Sequence, residues 1–354
     1  MKKSTKTYFR GNGNLTPKSF IRRVAKVATP FLFAVAILWW MYRGFRWDEM
    51  RDLLSGGMSW RWMLLSLPFG VLAQVFRALR WRQQLEPLGE KPRLQTCVNA
   101  VFVSYASSLV IPRVGEVLRC GILRRYDGVN FSRSVGTVVT ERLVDTFMIL
   151  LLSFVTVLVQ IPVFLMFFRR TGVSLESFLG SFSPAGYVVM AVCAVLVALV
   201  SWRMFRSLGI FARGKAVVRD VCDGLMSVCK VERPVLYLLY SVSIWVCYYL
   251  HFYLTFFCFA STSHLGAMAA LVAFVVGTFA VIVPTPNGAG PWHFAVKTVL
   301  VLYGVEQCSA AAFVLIVHTL QTLLVAVLGG YALVALAFTR RTTSSGEAAS
   351  EVAP

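Results

Sequence analysis

Residues 136–160 carry Glu141, Arg142 and Asp145 near one end and no other charge. A helix of that length reaches across the roughly 30 Å hydrocarbon core of a bilayer. In hydrocarbon each backbone amide must bond within the protein, so such a run has to be helical unless it joins a closed barrel. Comparable apolar runs recur at about 22–42, 60–80, 185–201, 235–259, 266–283 and 309–338, and a shorter one covers 94–111. No stretch between them is long enough to build a soluble domain. The expected architecture is all-α, a polytopic integral membrane helix bundle of about 7–9 membrane segments.

Charge sets the topology. The chain holds 35 Lys and Arg against 16 Asp and Glu, a net +19. These basic residues lie in the connections between apolar runs, where they meet anionic headgroups, so the excess does not read as nucleic-acid binding. Residues 1–29 carry eight Lys or Arg and no acid, which places the N-terminus in the cytoplasm. A multi-pass protein of the plasma (inner) membrane is expected, and the long polar lead does not suit a cleavable signal peptide. The segment RALRWRQQLEPLGEKPR after the 60–80 run reads as a basic cytoplasmic flank. If 94–111 crossed fully, the basic stretches 112–134 and 202–234 would both face outward, against the positive-inside tendency. The run is therefore expected to enter and return, leaving 161–184 external.

The stretch from Ile111 to Asp145 puts six arginines (113, 119, 124, 125, 133 and 142) beside Glu116, Asp127, Glu141 and Asp145. Charge beside hydrocarbon is costly and marks a functional site by default. Pro112 suits the first turn of a new helix, with Gly115 following and with Glu116 and Arg119 three residues apart on one face. The open amides of that helix start, together with Arg113 and Arg119, would suit a phosphate. Glu141 and Asp145 share a helix face, and Arg142 can pair with Asp145. All three are expected within about two turns of the cytoplasmic end. They either contact a headgroup or brace the arginines that do, and bracing is the favoured reading.

A second break, PTPNGAGP, repeats the device. Pro284 and Pro286 stop one helix, Gly288 and Gly290 permit tight backbone, and Pro291 opens the next, with His293 near its start. Two interrupted helices, near 94–125 and 284–304, point to a substrate site near the membrane midplane. His251 and His318, in apolar runs, read as hydrogen-bonded packing residues, and Tyr248, Tyr249 and Tyr253 as packing or interface aromatics. Eight cysteines show no metal spacing and imply no disulfide framework. No cofactor or metal is called for, and no phosphate-binding Gly-rich loop supplies an ATPase engine.

The pattern PRVGEVLR, FSRSVGTVVTERLVD and PTPNGAG resembles the lysylphosphatidylglycerol synthase transmembrane-region family, also called flippase-like domain proteins, over roughly 20–340. The matching positions are Pro112, Arg113, Gly115, Glu116, Arg119, Glu141, Arg142 and Asp145, then Pro284, Pro286, Gly288 and Gly290. The resemblance implies a membrane domain at 22–341 that moves a modified phospholipid or lipid-linked sugar between leaflets; by composition it is flanked by a basic cytoplasmic tail at 1–21 and a small, polar, disordered tail at 342–354. Asn287 stands where a glycine is common in the family, and His293 where a glutamate is common, which bears on headgroup recognition. Aminoacyl-transferring members carry a soluble catalytic domain after the membrane region. Only about a dozen residues follow the last run here, so an enzyme of that kind is not expected. The implied partners are membrane lipids and a separate lipid synthase or glycosyltransferase. The alternatives are an intramembrane lipid-modifying transferase, with Glu141 or Asp145 as base, and a scaffold for an envelope-lipid biosynthesis complex.

Overall fold

In the computed structural model, which describes residues 32, 35–39, 58–111, 114–171, 223–224, 226–283 and 285–340, local signals fix where four of the helices begin. The expected spans at 22–42 and 185–201 lie outside these residues apart from a few positions. So do Pro112, Arg113, Pro284, both tails and nearly all of 172–225. The α-helices of ten or more residues among the described residues are α1 (Trp60–Leu85), α2 (Leu94–Ser108), α3 (Val114–Asp127), α4 (Phe131–Thr171), α5 (Pro234–Tyr253), α6 (Ala267–Ala280), α7 (Pro291–Leu302) and α8 (Gln307–Phe338). The Asn130 side chain accepts the amides of Ser132 and Arg133 at 2.9 and 3.2 Å and so starts α4. Glu306 does the same for α8, taking the amides of Cys308 and Ser309. Pro234 and Pro291 occupy the first positions of α5 and α7.

Among the described residues, four segments are long and apolar enough to cross a membrane: Trp60–Leu88, Phe131–Gln160, Pro234–Cys258 and Gln307–Phe338. The expected all-α membrane bundle is the architecture found, with no strand among the described residues. Leu143, Phe147, Leu150, Phe154 and Leu158 form an exposed stripe on α4, and Leu323, Val327, Val334 and Phe338 one on α8. Spaced three, four or seven residues apart, these side chains face lipid.

The path between the two membrane faces follows from a few bonds. At one end of α1 the Ser59 amide donates to the Cys258 carbonyl at 2.9 Å; at the other, Gln84 Nε2 donates to Tyr237 Oη at 2.7 Å. Thus α1 and α5 are antiparallel. The C-terminal end of α1 leads into a face rich in arginine, with Arg82, Arg93, Arg124, Arg125 and Arg133. Helices α2 and α3 are 15 and 14 residues long, roughly 22 and 21 Å, too short to cross. Arg93 before α2 is tied to Asp127 at the end of α3, Nη2 to Oδ1 at 2.7 Å. Both ends of the hairpin therefore sit at the basic face, and the chain enters and returns as charge balance required.

The second half repeats this upside down. α5 runs away from the basic face, α6 and α7 form a hairpin from the opposite face, and α8 returns to end beside Arg93, whose Nη2 donates to the Arg340 carbonyl at 2.9 Å. A long helix, a short helical hairpin and a long helix thus occur twice in opposite orientation, the arrangement of inverted repeats in transporters. Each hairpin has its own apolar core. Trp81, Leu85, Val101, Cys120 and Leu123 pack around the first, and Phe252, Phe256, Val296, Leu300 and Phe313 around the second.

Glycine sets the hairpin spacing. A Cβ on Gly115 would lie 1.9 Å from the Ser104 carbonyl oxygen, so α3 can approach the end of α2 only without a side chain there. Gly115→Ala must push two backbones apart and is expected to destabilise by about 3 kcal/mol. Thermal unfolding of the detergent-purified variant checks this, and an unchanged midpoint would contradict the close approach.

Candidate functional site

Four arginines and three acids meet in the middle of the bundle. Arg77 Nη1, from α1, donates to Glu141 Oε1 at 2.5 Å and to Asp145 Oδ2 at 2.6 Å. Arg80 Nη2, one turn on, donates to Asp145 Oδ1 at 2.6 Å, and Arg119 Nη1, from α3, to Glu141 Oε2 at 3.0 Å. Arg142 Nε reaches Glu116 Oε1 at 2.7 Å, and its Nη1 reaches Asp145 Oδ2 at 3.4 Å. Arg77, Arg80, Arg119 and Glu141 are each no more than 3% exposed. Aromatic rings cover the cations: Arg119 lies 4.6 Å from the Trp81 ring, and Arg77 lies 5.8 and 5.9 Å from Tyr105 and Tyr248.

The acids lie further along their helix than the sequence suggested. Because Asn130 caps α4, that helix begins at Phe131 rather than near 136, which puts Glu141 and Asp145 roughly 15 and 21 Å along it rather than within two turns of its end. Asp145 is near the middle of the Phe131–Gln160 span. Charges at that depth persist only when paired and hydrogen-bonded. Among these seven groups the arginines exceed the carboxylates by one, so the cluster carries a net positive charge.

One side of the cluster opens into a cavity of about 550 Å³. Arg77, Arg142 and Asp145 line it, as do Tyr105 and Tyr248, whose hydroxyls are 3.2 Å apart. Glu116, Arg119 and Glu141 are not among the lining residues. Arg119 was expected at the headgroup, but it stands behind the wall, held by Glu141 and Trp81. Cys120, beside it in the re-entrant hairpin, is also buried and packs among Trp81, Val101 and Leu123.

The second break contributes the far wall through Val281, Ile282, Asn287 and Trp292. Asn287 has φ +51°, between Gly288 and Gly290 at +73° and +89° on one side and Thr285 on the other. After glycine, asparagine is the residue that best tolerates this left-handed region. Its side chain also does what glycine could not, Nδ2 donating to Thr322 Oγ1 at 2.7 Å, and the Asn287 backbone carbonyl accepts from His318 Nε2 at 3.1 Å. His293 is 3% exposed and caps the turn, its Nδ1 accepting from the Gly290 amide at 3.4 Å. Its ring lies 4.4 Å from that of His318; His318, not His293, lines the cavity. His251 donates from Nδ1 to the Ser66 carbonyl at 2.8 Å. Tyr249 and Tyr253 stack as packing aromatics at 5.6 Å, whereas Tyr248 faces the cavity.

Over residues 27–329 the sequence matches the family described as Lysylphosphatidylglycerol synthase TM region. The chain belongs to this family. It is an integral membrane protein of a family named for lipid metabolism, and the match spans both hairpins and the whole arginine–carboxylate cluster. Compared with curated proteins and with solved structures, the chain matches none.

Sequence reasoning missed Arg77 and Arg80, which the family motifs above do not include. Both look like part of the positive flank that ends a span. The available signal was periodic: Gln74, Arg77, Trp81 and Gln84 recur at three or four residues, all on the buried side of α1, while Arg82 points away.

Proposed function

We propose that this member of the lysylphosphatidylglycerol synthase TM-region family moves an anionic phospholipid or a lipid-linked glycan between leaflets of the plasma (inner) membrane. The observation that carries this reading is the net positive cluster on the wall of a mid-membrane cavity, where hairpins from opposite faces meet. Arg77 and Arg142 are placed to bond a lipid phosphate, and Ile149, Leu150, Leu324 and Leu328 give its acyl chains an apolar wall. Glu116, Glu141 and Asp145 brace the arginines. The basic face is assigned to the cytoplasm, with the N-terminus on the same side. The partners are membrane lipids and a separate synthase or glycosyltransferase that supplies them.

An intramembrane transferase would need a carboxylate free to take a proton. Glu141 and Asp145 each accept from two or more arginines, which favours translocation over chemistry. Purified protein in vesicles carrying phosphatidylglycerol with a fluorescent nitrobenzoxadiazole acyl tail is expected to expose inner-leaflet lipid to dithionite. Bleaching no greater than in protein-free vesicles would sink the reading. A new lipid species in the mass spectrum would favour the transferase.

A further inference from the structure

Beyond the charged wall, toward the face opposite the arginines, the cavity's polar groups are uncharged. Gln74 sits one turn from Arg77 on α1, Trp245 on α5 and Gln321 on α8, and all three line the cavity. Gln74 is 5% exposed, and its Oε1 has no partner among the described residues. Trp245 Nε1 and Gln321 Nε2 are likewise buried without one. Buried polar atoms left unpaired are costly, so each marks a place where a ligand or water bonds. Two of the three are donors, and they need an acceptor from the ligand.

The charged wall adds an exclusion. Asp145 is the only carboxylate among the described lining residues, and its two oxygens already accept from Arg77, Arg80 and Arg142. An aminoacyl headgroup brings ammonium groups, which donate only. Those ammonium groups would find no free carboxylate, cannot serve the Trp245 and Gln321 donors, and would face a cluster that is already net positive. A hydroxyl both donates and accepts, so a polyol can satisfy Gln74, Trp245 and Gln321 together, with its ring faces against Trp245, Tyr248 and Phe274.

We infer that the cavity takes an uncharged polyol or sugar headgroup joined to its lipid through a phosphodiester, and discriminates against the cationic aminoacylated headgroup for which the family is named. This inference rests on the translocation reading and narrows its substrate.

The test compares three lipids with fluorescent acyl tails, phosphatidylinositol, phosphatidylglycerol and lysyl-phosphatidylglycerol, in the same proteoliposomes, and measures their binding to the detergent-purified protein by thermophoresis. Phosphatidylinositol is expected to bind and cross about tenfold better than the lysyl lipid, whose ammonium groups meet surplus positive charge with no free carboxylate to pair them. Trp245→Phe keeps the aromatic face and loses the N–H. With Gln321→Leu, it is expected to lower phosphatidylinositol affinity about fivefold each, the worth of one hydrogen bond. Equal or better binding and crossing of the lysyl lipid overturns the headgroup assignment while translocation stands. Selective binding of phosphatidylinositol with no lipid crossing overturns translocation and keeps the headgroup assignment. Neither binding nor crossing by any lipid overturns both.

Discussion

Glu141→Leu is expected to cost about 3–5 kcal/mol, because it leaves buried arginines without their counter-charge. Glu141 accepts from Arg77 and Arg119 and lies 3.7 Å from Arg80. Removing it raises the surplus charge of the cluster from one to two, at a depth where water cannot screen it. A loss of that size is a large part of the total stability of a typical domain. The measurement is the yield and thermal midpoint of detergent-solubilised protein by fluorescence-detected size exclusion. A second variant separates charge from shape. Arg119→Met together with Glu141→Leu removes one cation and one anion, restores the original surplus, and fills the space with apolar groups. Buried pairs replaced in this way are often neutral in stability, so the double variant is expected to recover most of the folded yield. If Glu141→Leu alone melts like the unaltered protein, the cluster does not hold the bundle together.

That network also shows where sequence reading stops. Helices and breaks were legible because hydrocarbon permits few backbone solutions, and Pro, Gly and charge mark where they change. The return of 94–111 followed from counting arginines in two connections, and Arg93 with Asp127 now fixes both hairpin ends at one face. Glu141, Arg142 and Asp145 could be grouped because they share one helix. Their counter-ions could not, since Arg77 and Glu141 are 64 residues apart in sequence and meet only through packing of α1 on α4. The cap at Asn130 was an overlooked local signal, and it puts the acids further along α4 than a start near 136 would. The resemblance supplied motif residues on α3 and α4, but the structure divides them by position: Arg142 and Asp145 face the cavity, while Arg119 and Glu141 stand behind its wall.

Arg77→Gln is expected to spare the fold and stop the lipid. Without Arg77, Glu141 keeps Arg119, and Asp145 keeps Arg80 and Arg142, so no acid is stranded. The cluster falls from one surplus positive charge to none, and the cavity wall loses the guanidinium held between Tyr105 and Tyr248. A hydrogen bond to a charged group is worth about 1.5–3 kcal/mol, which corresponds to roughly a ten- to hundredfold loss of affinity for the phosphate. Dithionite bleaching of labelled phosphatidylglycerol should slow by at least about tenfold, while the thermal midpoint stays near that of the unaltered protein. Arg82→Gln is the control. Arg82 lies on the other side of α1, in a 3.5 Å pair with Glu86 that is more than one-third exposed, and such surface pairs contribute about 0–1 kcal/mol. Equal slowing by both variants would mean that overall basic charge, not the cavity guanidinium, governs lipid movement. A folded Arg77→Gln protein that moves lipid at the unaltered rate would remove Arg77 from the phosphate site.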